Sequence, residues 1–357
     1  MAEGAEREEV DRRPEAPTEN LGLGDLLDLD KEQVYLSISD ELKSLGIKRD
    51  STLDRLAFYW LRVLLFDRNP RPSTRPVAIV LGPTGSGKTY GIKRLCERFS
   101  ILNFTVDCSG LVGSGIVGAC IPDVITQAFI ELETPSGPFA KTAMLVFDEV
   151  HALSGEHVYS MAVKRELLAV LAGEPVTTTE DRNIRQVATD RKLVLPGQIP
   201  TMNFTPILIG SFDGTLTRRK GETCGFGPER PGEGVGAELS SAKTAEVYRI
   251  LEREGMVPGE LLGRINIPPV VLDPPTCEDL CHVLHLGDDR NPLLTLVRED
   301  LGMDFRLSEE TARWLVDQAM ERGLGYRSLR QICEEYIADH LSEMLRSDGL
   351  NENVVQL

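Results

Sequence analysis

At 357 residues the chain is too long for one ordinary core, and its composition is that of a globular protein. Its 39 basic and 56 acidic side chains give a net charge of −17, which argues against non-specific nucleic-acid binding, since phosphate-binding surfaces are built from basic excess. No stretch approaches the ~20 apolar residues of a membrane span. Residues 1–11 lack the basic-then-apolar profile of a secretory leader, and seven cysteines lie scattered without a disulfide framework. A reducing cytoplasm is the expected compartment.

Residues 1–30 are rich in Glu, Asp and Pro and poor in aromatics, and read as a disordered acidic tail. The run from Leu56 to Leu65 is an apolar helix expected to pack beside the following core. Strands are expected at Ala78–Leu81, Asn103–Asp107, Met144–Phe147 and Pro206–Ile209, and helices near Tyr90–Phe99, Pro122–Glu131 and Met161–Ala172. That alternation predicts an α/β fold with a parallel sheet covered on both faces, over residues 31–272. Thr217 to Ala242, rich in Gly, Pro, Glu and Arg, reads as a long exposed loop. Asp273-Pro274-Pro275 marks a boundary, after which a smaller, mainly helical domain is expected over 273–357. Its helices are Glu278–Leu286, Pro292–Asp300, Ser308–Arg322 and Tyr326–Leu345, with an N-cap signal at Ser308 and terminating glycines at Gly323 and Gly325.

Between the first strand and the first helix of the α/β region lies Gly82-Pro83-Thr84-Gly85-Ser86-Gly87-Lys88-Thr89, a complete phosphate loop in the strand–loop–helix context it requires. Glycines let backbone N–H groups turn inward around phosphates, and the helix N-terminus adds its dipole. These eight residues, with Tyr90 opening the helix, form the expected ATP-binding set. Lys88 faces the β/γ-phosphates and Thr89 offers a hydroxyl to Mg²⁺. The apolar run Ala143–Phe147 ends in Asp148-Glu149, two acids at the carboxyl end of a buried strand, where open α/β sheets bind ligands. Asp148 is the expected Mg²⁺ partner and Glu149 the residue that orients the attacking water. Cys277, Cys281, His282 and His285 fall close together on one helix. No second cluster completes a zinc pattern, so they read as ordinary helix residues.

From about Leu45 to Leu345 the chain resembles the ClpX branch of the AAA+ ATPases, with HslU a close relative. Leu111-Val112-Gly113-Ser114-Gly115-Ile116-Val117-Gly118 is similar to that family's first pore loop, and Glu166–Gly173 to its helix after the second acidic motif. Gly255–Arg264 matches the segment ending in its inter-subunit arginine, and Gly325-Tyr326-Arg327-Ser328-Leu329-Arg330 its small-domain arginine motif. The family's amino-terminal zinc-binding domain is not found in the sequence. The resemblance implies a homo-hexameric ring that hydrolyses ATP at subunit interfaces. Arg264 would reach the neighbour's γ-phosphate, Arg327 would contact phosphate from the small domain, and Ser211 would be the polar sensor between them. It also implies an unfolding or remodelling activity on protein substrates threaded through the pore. Two departures qualify it. Ile116 stands where the family carries an aromatic residue, which reduces the contact area offered to a polypeptide. Cys224-Gly225-Phe226 stands where proteolytic members present Ile-Gly-Phe, which puts docking to a Clp-type peptidase in doubt. The competing readings are a nucleic-acid-directed motor or loader and an ATP-switched assembly factor.

Overall fold

A computed structural model describes residues 31–47, 50–68, 71, 73, 75–113, 120–133, 142–154, 158–211, 244–255, 257–348 and 354–356. At its centre is a five-stranded, all-parallel sheet. In chain order the strands are β1 (Ala78–Gly82), β2 (Leu102–Asp107), β3 (Ala143–Asp148), the later strand Phe204–Ser211, and the short Val270–Val271. Their spatial order is Leu102–Asp107, Ala143–Asp148, Phe204–Ser211, Ala78–Gly82, Val270–Val271. The three central strands are buried along nearly their whole length. That is why they read as continuous apolar runs and not as alternating ones. Pro206, which has no N–H to give, precedes by one residue the ladder that begins at Ala78↔Ile207.

Helices cover both faces. On one, α1 (Lys31–Ser44), α2 (Asp50–Arg68) and α3 (Lys88–Arg98) share a core with the inward side chains of the strands. Tyr59 and Trp60 of α2 are fully buried there, and the Tyr59 hydroxyl lies 3.1 Å from Met144 Sδ. The expected packing of this helix against the sheet is found. On the other face, α4 (Ile121–Glu133) and α5 (Val158–Ala172) close a second core with Phe147, Phe204 and Leu208.

The end of α5 is fixed by a buried cation. Arg75, 3% exposed, donates to the carbonyls of Val170, Leu171 and Thr201. The C-terminal carbonyls of a helix are unsatisfied acceptors with partial negative charge, so a guanidinium is matched to them. Burial pulls its pKa down to about 10.

Between α5 and the strand Phe204–Ser211 lies an arm that sequence reading did not anticipate. It comprises β4 (Val176–Thr177), α6 (Arg182–Asp190) and β5 (Gln198–Ile199), with β4 and β5 paired antiparallel. With these named, Phe204–Ser211 is β6 and Val270–Val271 is β7. Asp181 caps α6 by accepting from the N–H groups of Asn183 and Ile184. The arm lies along α4, held by Thr179 to Asp123 and Thr126 and by Arg191 to Glu131 at 2.7 Å.

Beyond α7 (Thr244–Arg253), α8 (Gly259–Leu262) and β7, the chain builds a separate helical core. Its helices are α9 (Cys277–Leu284), α10 (Glu309–Arg322) and α11 (Gly325–Asp348). Ser308 caps α10 and Gly323, at φ 75°, ends it, as the sequence predicts. The helix expected over Pro292–Asp300 is present and is wound as a π-helix over Leu294–Asp300. Its start is held by Asn291, whose side chain accepts from the N–H of Leu293 and donates to the carbonyls of Leu284 and Leu286. A short parallel pair, β8 (Asp304–Arg306) with β9 (Val354–Gln356), completes this part. Among the described residues no helix is long and apolar enough to cross a membrane.

Candidate nucleotide site

β1 delivers the phosphate loop to the carboxyl edge of the sheet, and α3 starts at Lys88. Gly85 and Gly87 have φ 76° and 82°, a region that residues with a Cβ rarely adopt. A Cβ on Gly85 would stand 1.8 Å from the Leu324 carbonyl oxygen, so the loop is both wound and crowded in a way only glycine permits. Lys88 Nζ donates to the carbonyls of Gly82 at 2.9 Å and Pro83 at 2.8 Å. The Ser86 hydroxyl is buried with no hydrogen-bond partner among the described residues.

β3 runs beside β2 and β6 and brings Asp148 to the same edge. Thr89 Oγ1 donates to Asp148 Oδ2 at 2.7 Å, so the two groups expected to share a cation are adjacent. Glu149 follows at φ 56°, in the left-handed region, with its N–H on Asp148 Oδ1 at 2.9 Å. A non-glycine residue held there is a strained conformation of the kind that clusters at active sites. Its carboxylate meets Ser211 Oγ at 3.4 Å and His151 Nε2 at 3.1 Å. Beneath them, burial and the neighbouring carboxylates of Asp107, Asp148 and Glu149 push the Cys108 thiol up to about 12.

Lys88, Thr89, Asp148, Glu149 and Ser211 line one wall of a cavity of about 740 Å³, within the range that takes a nucleotide-sized ligand. The opposite wall comes from the helical part. Tyr326 and Arg327 at the start of α11, and His282 and Val283 of α9, face the loop, and Leu45 and Gly46 after α1 close the end. The Tyr326 N–H donates to the Gly85 carbonyl at 3.0 Å, so the two walls touch at the phosphate loop itself. Burial, with Asp279 nearby, raises the Tyr326 phenol to about 12. Arg94 of α3 pairs with Asp289 at 3.5 Å and Arg290 donates to the Ser44 carbonyl, spanning the cleft a second time.

The residues expected at the site are therefore brought together with one exception. Thr84, Gly85, Gly87, Lys88, Thr89, Tyr90, Asp148, Glu149, Ser211 and Arg327 line the cavity, and Gly82, Pro83 and Ser86 build the loop behind it. Arg264, just after α8, does not line it. It is exposed, and its guanidinium has no hydrogen-bond or ion-pair partner among the described residues. His151, Tyr326 and His282 were not anticipated. A histidine two residues after the acidic pair was a readable signal for the first, and the other two depend on tertiary placement. Ser114 to Gly118 and Cys224-Gly225-Phe226 lie outside the described residues. No group of His, Cys, Asp or Glu side chains among the described residues is arranged to hold a metal ion by itself.

The loop fits the triphosphate of ATP. Its conformation is open only to glycine, it presents an orphaned buried hydroxyl, and its lysine is turned onto backbone oxygens.

Comparison with known proteins agrees with this geometry. Residues 78–201 match the model of the ATPase family associated with various cellular activities (AAA), and residues 293–355 match the C-terminal, D2-small domain of ClpB protein. The ATP-dependent Clp protease ATP-binding subunit ClpX of Treponema denticola is 24% identical over 299 residues, 78% of this chain and 68% of that protein. The same subunit of Bacteroides fragilis is 24% identical over 292 residues, 76% of this chain and 66% of its own length. ClpX 2 of Wolinella succinogenes is 25% identical over 290 residues, 74% and 65% respectively. The chain thus spans about two thirds of the length of the relatives it matches.

Proposed function

From the premise that this chain is a ClpX-like AAA+ ATPase, we propose that it works as an ATP-driven protein unfoldase or remodeller, hydrolysing ATP at the interfaces of a hexameric ring. The observation that carries the proposal is a division of labour among charges. Lys88, Thr89, Asp148, Glu149 and Arg327 surround one cavity, while Arg264 stands exposed outside it. An arginine that serves no site in its own subunit is suited to a neighbour's.

In this reading the loop N–H groups and Lys88 hold the β/γ-phosphates, and Thr89 and Asp148 hold Mg²⁺. Held there, the cation would supply positive charge against the phosphate oxygens. Glu149 orients the water, with Ser211 on its other oxygen. Arg264 of the adjacent subunit stabilises transition-state charge, a contribution worth ~10³–10⁵ in rate where such arginines have been removed. Arg327 lies on the helical part, residues 273–357, which moves as a lid on the large domain, residues 31–272. Since Tyr326 is bonded to Gly85, loss of the γ-phosphate is felt directly at the lid. The loop 111–118 and the arm along α4 are the segments proposed to handle polypeptide. The arm packs on the helix that follows that loop. Delivery to a Clp-type peptidase is a further step that Cys224 makes less favoured, because it replaces the larger first anchor of the docking tripeptide.

Stimulation of ATP turnover tests the proposal. An unstructured protein should raise the rate severalfold, whereas single-stranded or duplex DNA and RNA should not. Stimulation by nucleic acid alone would point to a motor or loader, and a slow rate indifferent to both would point to an assembly factor.

A further inference from the structure

We propose that His151 is a positioning residue for ATP hydrolysis, which holds the carboxylate of Glu149 from behind the nucleotide cavity. The proposal rests on the reading of Glu149 as the group that orients water. Glu149 begins from an unfavourable backbone, φ 56°, so its side-chain direction is set by its contacts. The Ala152 N–H donates to the Glu149 carbonyl at 2.9 Å, closing a tight turn over Val150–Ser154 that carries His151 back under the carboxylate. There His151 Nε2 is 3.1 Å from Oε2, while Ser211 Oγ is 3.4 Å from Oε1. Glu149 and Ser211 line the cavity, and His151 does not. Its contact with the site runs through Glu149.

The chemistry of the pair fixes its sense. An ionised carboxylate only accepts, so Nε2 carries the N–H and donates to it. Nδ1 is buried with no partner among the described residues. Each carboxylate oxygen keeps a further lone-pair direction for a water on the cavity side. The bracket of His151 and Ser211 thus restrains rotation of Glu149 without occupying the face it needs. Both members of the pair are about one-third exposed, and a hydrogen bond so open to solvent adds little to stability. The effect should appear in turnover and not in folding.

Three variants of the full chain test this by steady-state ATP hydrolysis, ATP affinity and thermal unfolding. His151→Ala should lower kcat about tenfold, less than the ~10²-fold that a 1 Å misplacement of a reacting group can cost. KM for ATP should stay within twofold and the melting temperature should be unchanged. His151→Gln, whose side-chain amide N–H reaches as far as the ring Nε2, should recover most of the lost kcat. Adding His151→Ala to Glu149→Gln should change turnover little further, because its partner carboxylate is gone. A His151→Ala enzyme with kcat within twofold of wild type beside a stalled Glu149→Gln enzyme would overturn the proposal. So would equal losses in the Ala and Gln variants, or a loss carried by KM. A Glu149→Gln enzyme that turns over like wild type would instead mark failure of the underlying reading of Glu149.

Discussion

The two ends of the nucleotide cavity are built by different means. The phosphate end consists of backbone and short polar side chains at the carboxyl ends of β1, β3 and β6, each strand locked in a continuous ladder. The other end is assembled from pieces far apart in sequence: Leu45 and Gly46 after α1, His282 and Val283 on α9, Pro292 and Thr295 near the π turn, and Leu329 on α11. Recognition of charge demands fixed residue types at fixed spacing, because only certain groups can sit 3 Å from a phosphate oxygen. The far end, where Leu45, Val283 and Leu329 stand among side chains such as Glu278, Asp289 and Arg290, demands shape and area, which many side chains can supply. Changes at the first end should therefore act nearly all-or-none, and changes at the second should be graded.

The largest effect is expected at Lys88. Lys88→Ala removes the charge facing the β/γ-phosphates, where a charged hydrogen bond is worth about 1.5–3 kcal/mol. With more than one such contact, ATP affinity measured by equilibrium binding should fall by about 100-fold or more. Affinity within threefold of wild type would mean that the phosphate end does not hold phosphate through this residue.

Gly85→Ala comes next and probes the meeting of the two ends. Its methyl would fall 1.8 Å from the Leu324 oxygen at a backbone angle of φ 76°, so the phosphate loop and the start of α11 must part. Strain of this kind costs about 1–3 kcal/mol, and a lower melting temperature should accompany a weaker response of the lid to ATP. An unchanged melt would show that the contact is not maintained in solution.

Val283→Ala should have the smallest effect. It removes apolar area worth about 0.8 kcal/mol per buried methylene, so KM for ATP should rise less than tenfold with kcat unchanged. A loss as large as that of Lys88→Ala would break the contrast between the ends.

The same contrast explains what the sequence disclosed. Gly82 to Thr89, Asp148 and Glu149 were legible because their chemistry permits few alternatives, and the central strands because burial on both faces leaves a continuous apolar run. The far end was not legible, since nothing local in Leu45, Val283 or Leu329 says that they line one cavity. The arm of β4, α6 and β5 was missed because two-residue strands carry no period, although Asp181 did offer a helix-capping signal. α1 could have been read: Val34, Ile38 and Leu42 recur every four residues, and all are buried. The helix expected over Pro292–Asp300 is found, but apolar spacing does not distinguish its π winding over Leu294–Asp300 from an α-helix. Asn291, buried and hydrogen-bonded to the carbonyls of Leu284 and Leu286, holds the start of that helix.

The central claim is that each site is completed by Arg264 of an adjacent subunit, and mixing two inactive variants tests it most directly. Arg264→Ala keeps its phosphate loop, Asp148 and Glu149 but lacks the arginine for its neighbour. Glu149→Gln keeps Arg264 and binds ATP but stalls. Each alone should hydrolyse ATP slowly, and subunits co-assembled in equal amounts should regain a rate well above the sum of the two, because a Glu149→Gln subunit completes the site of an adjoining Arg264→Ala subunit. Full turnover by Arg264→Ala alone, or a mixture no faster than its separate components, would contradict the account.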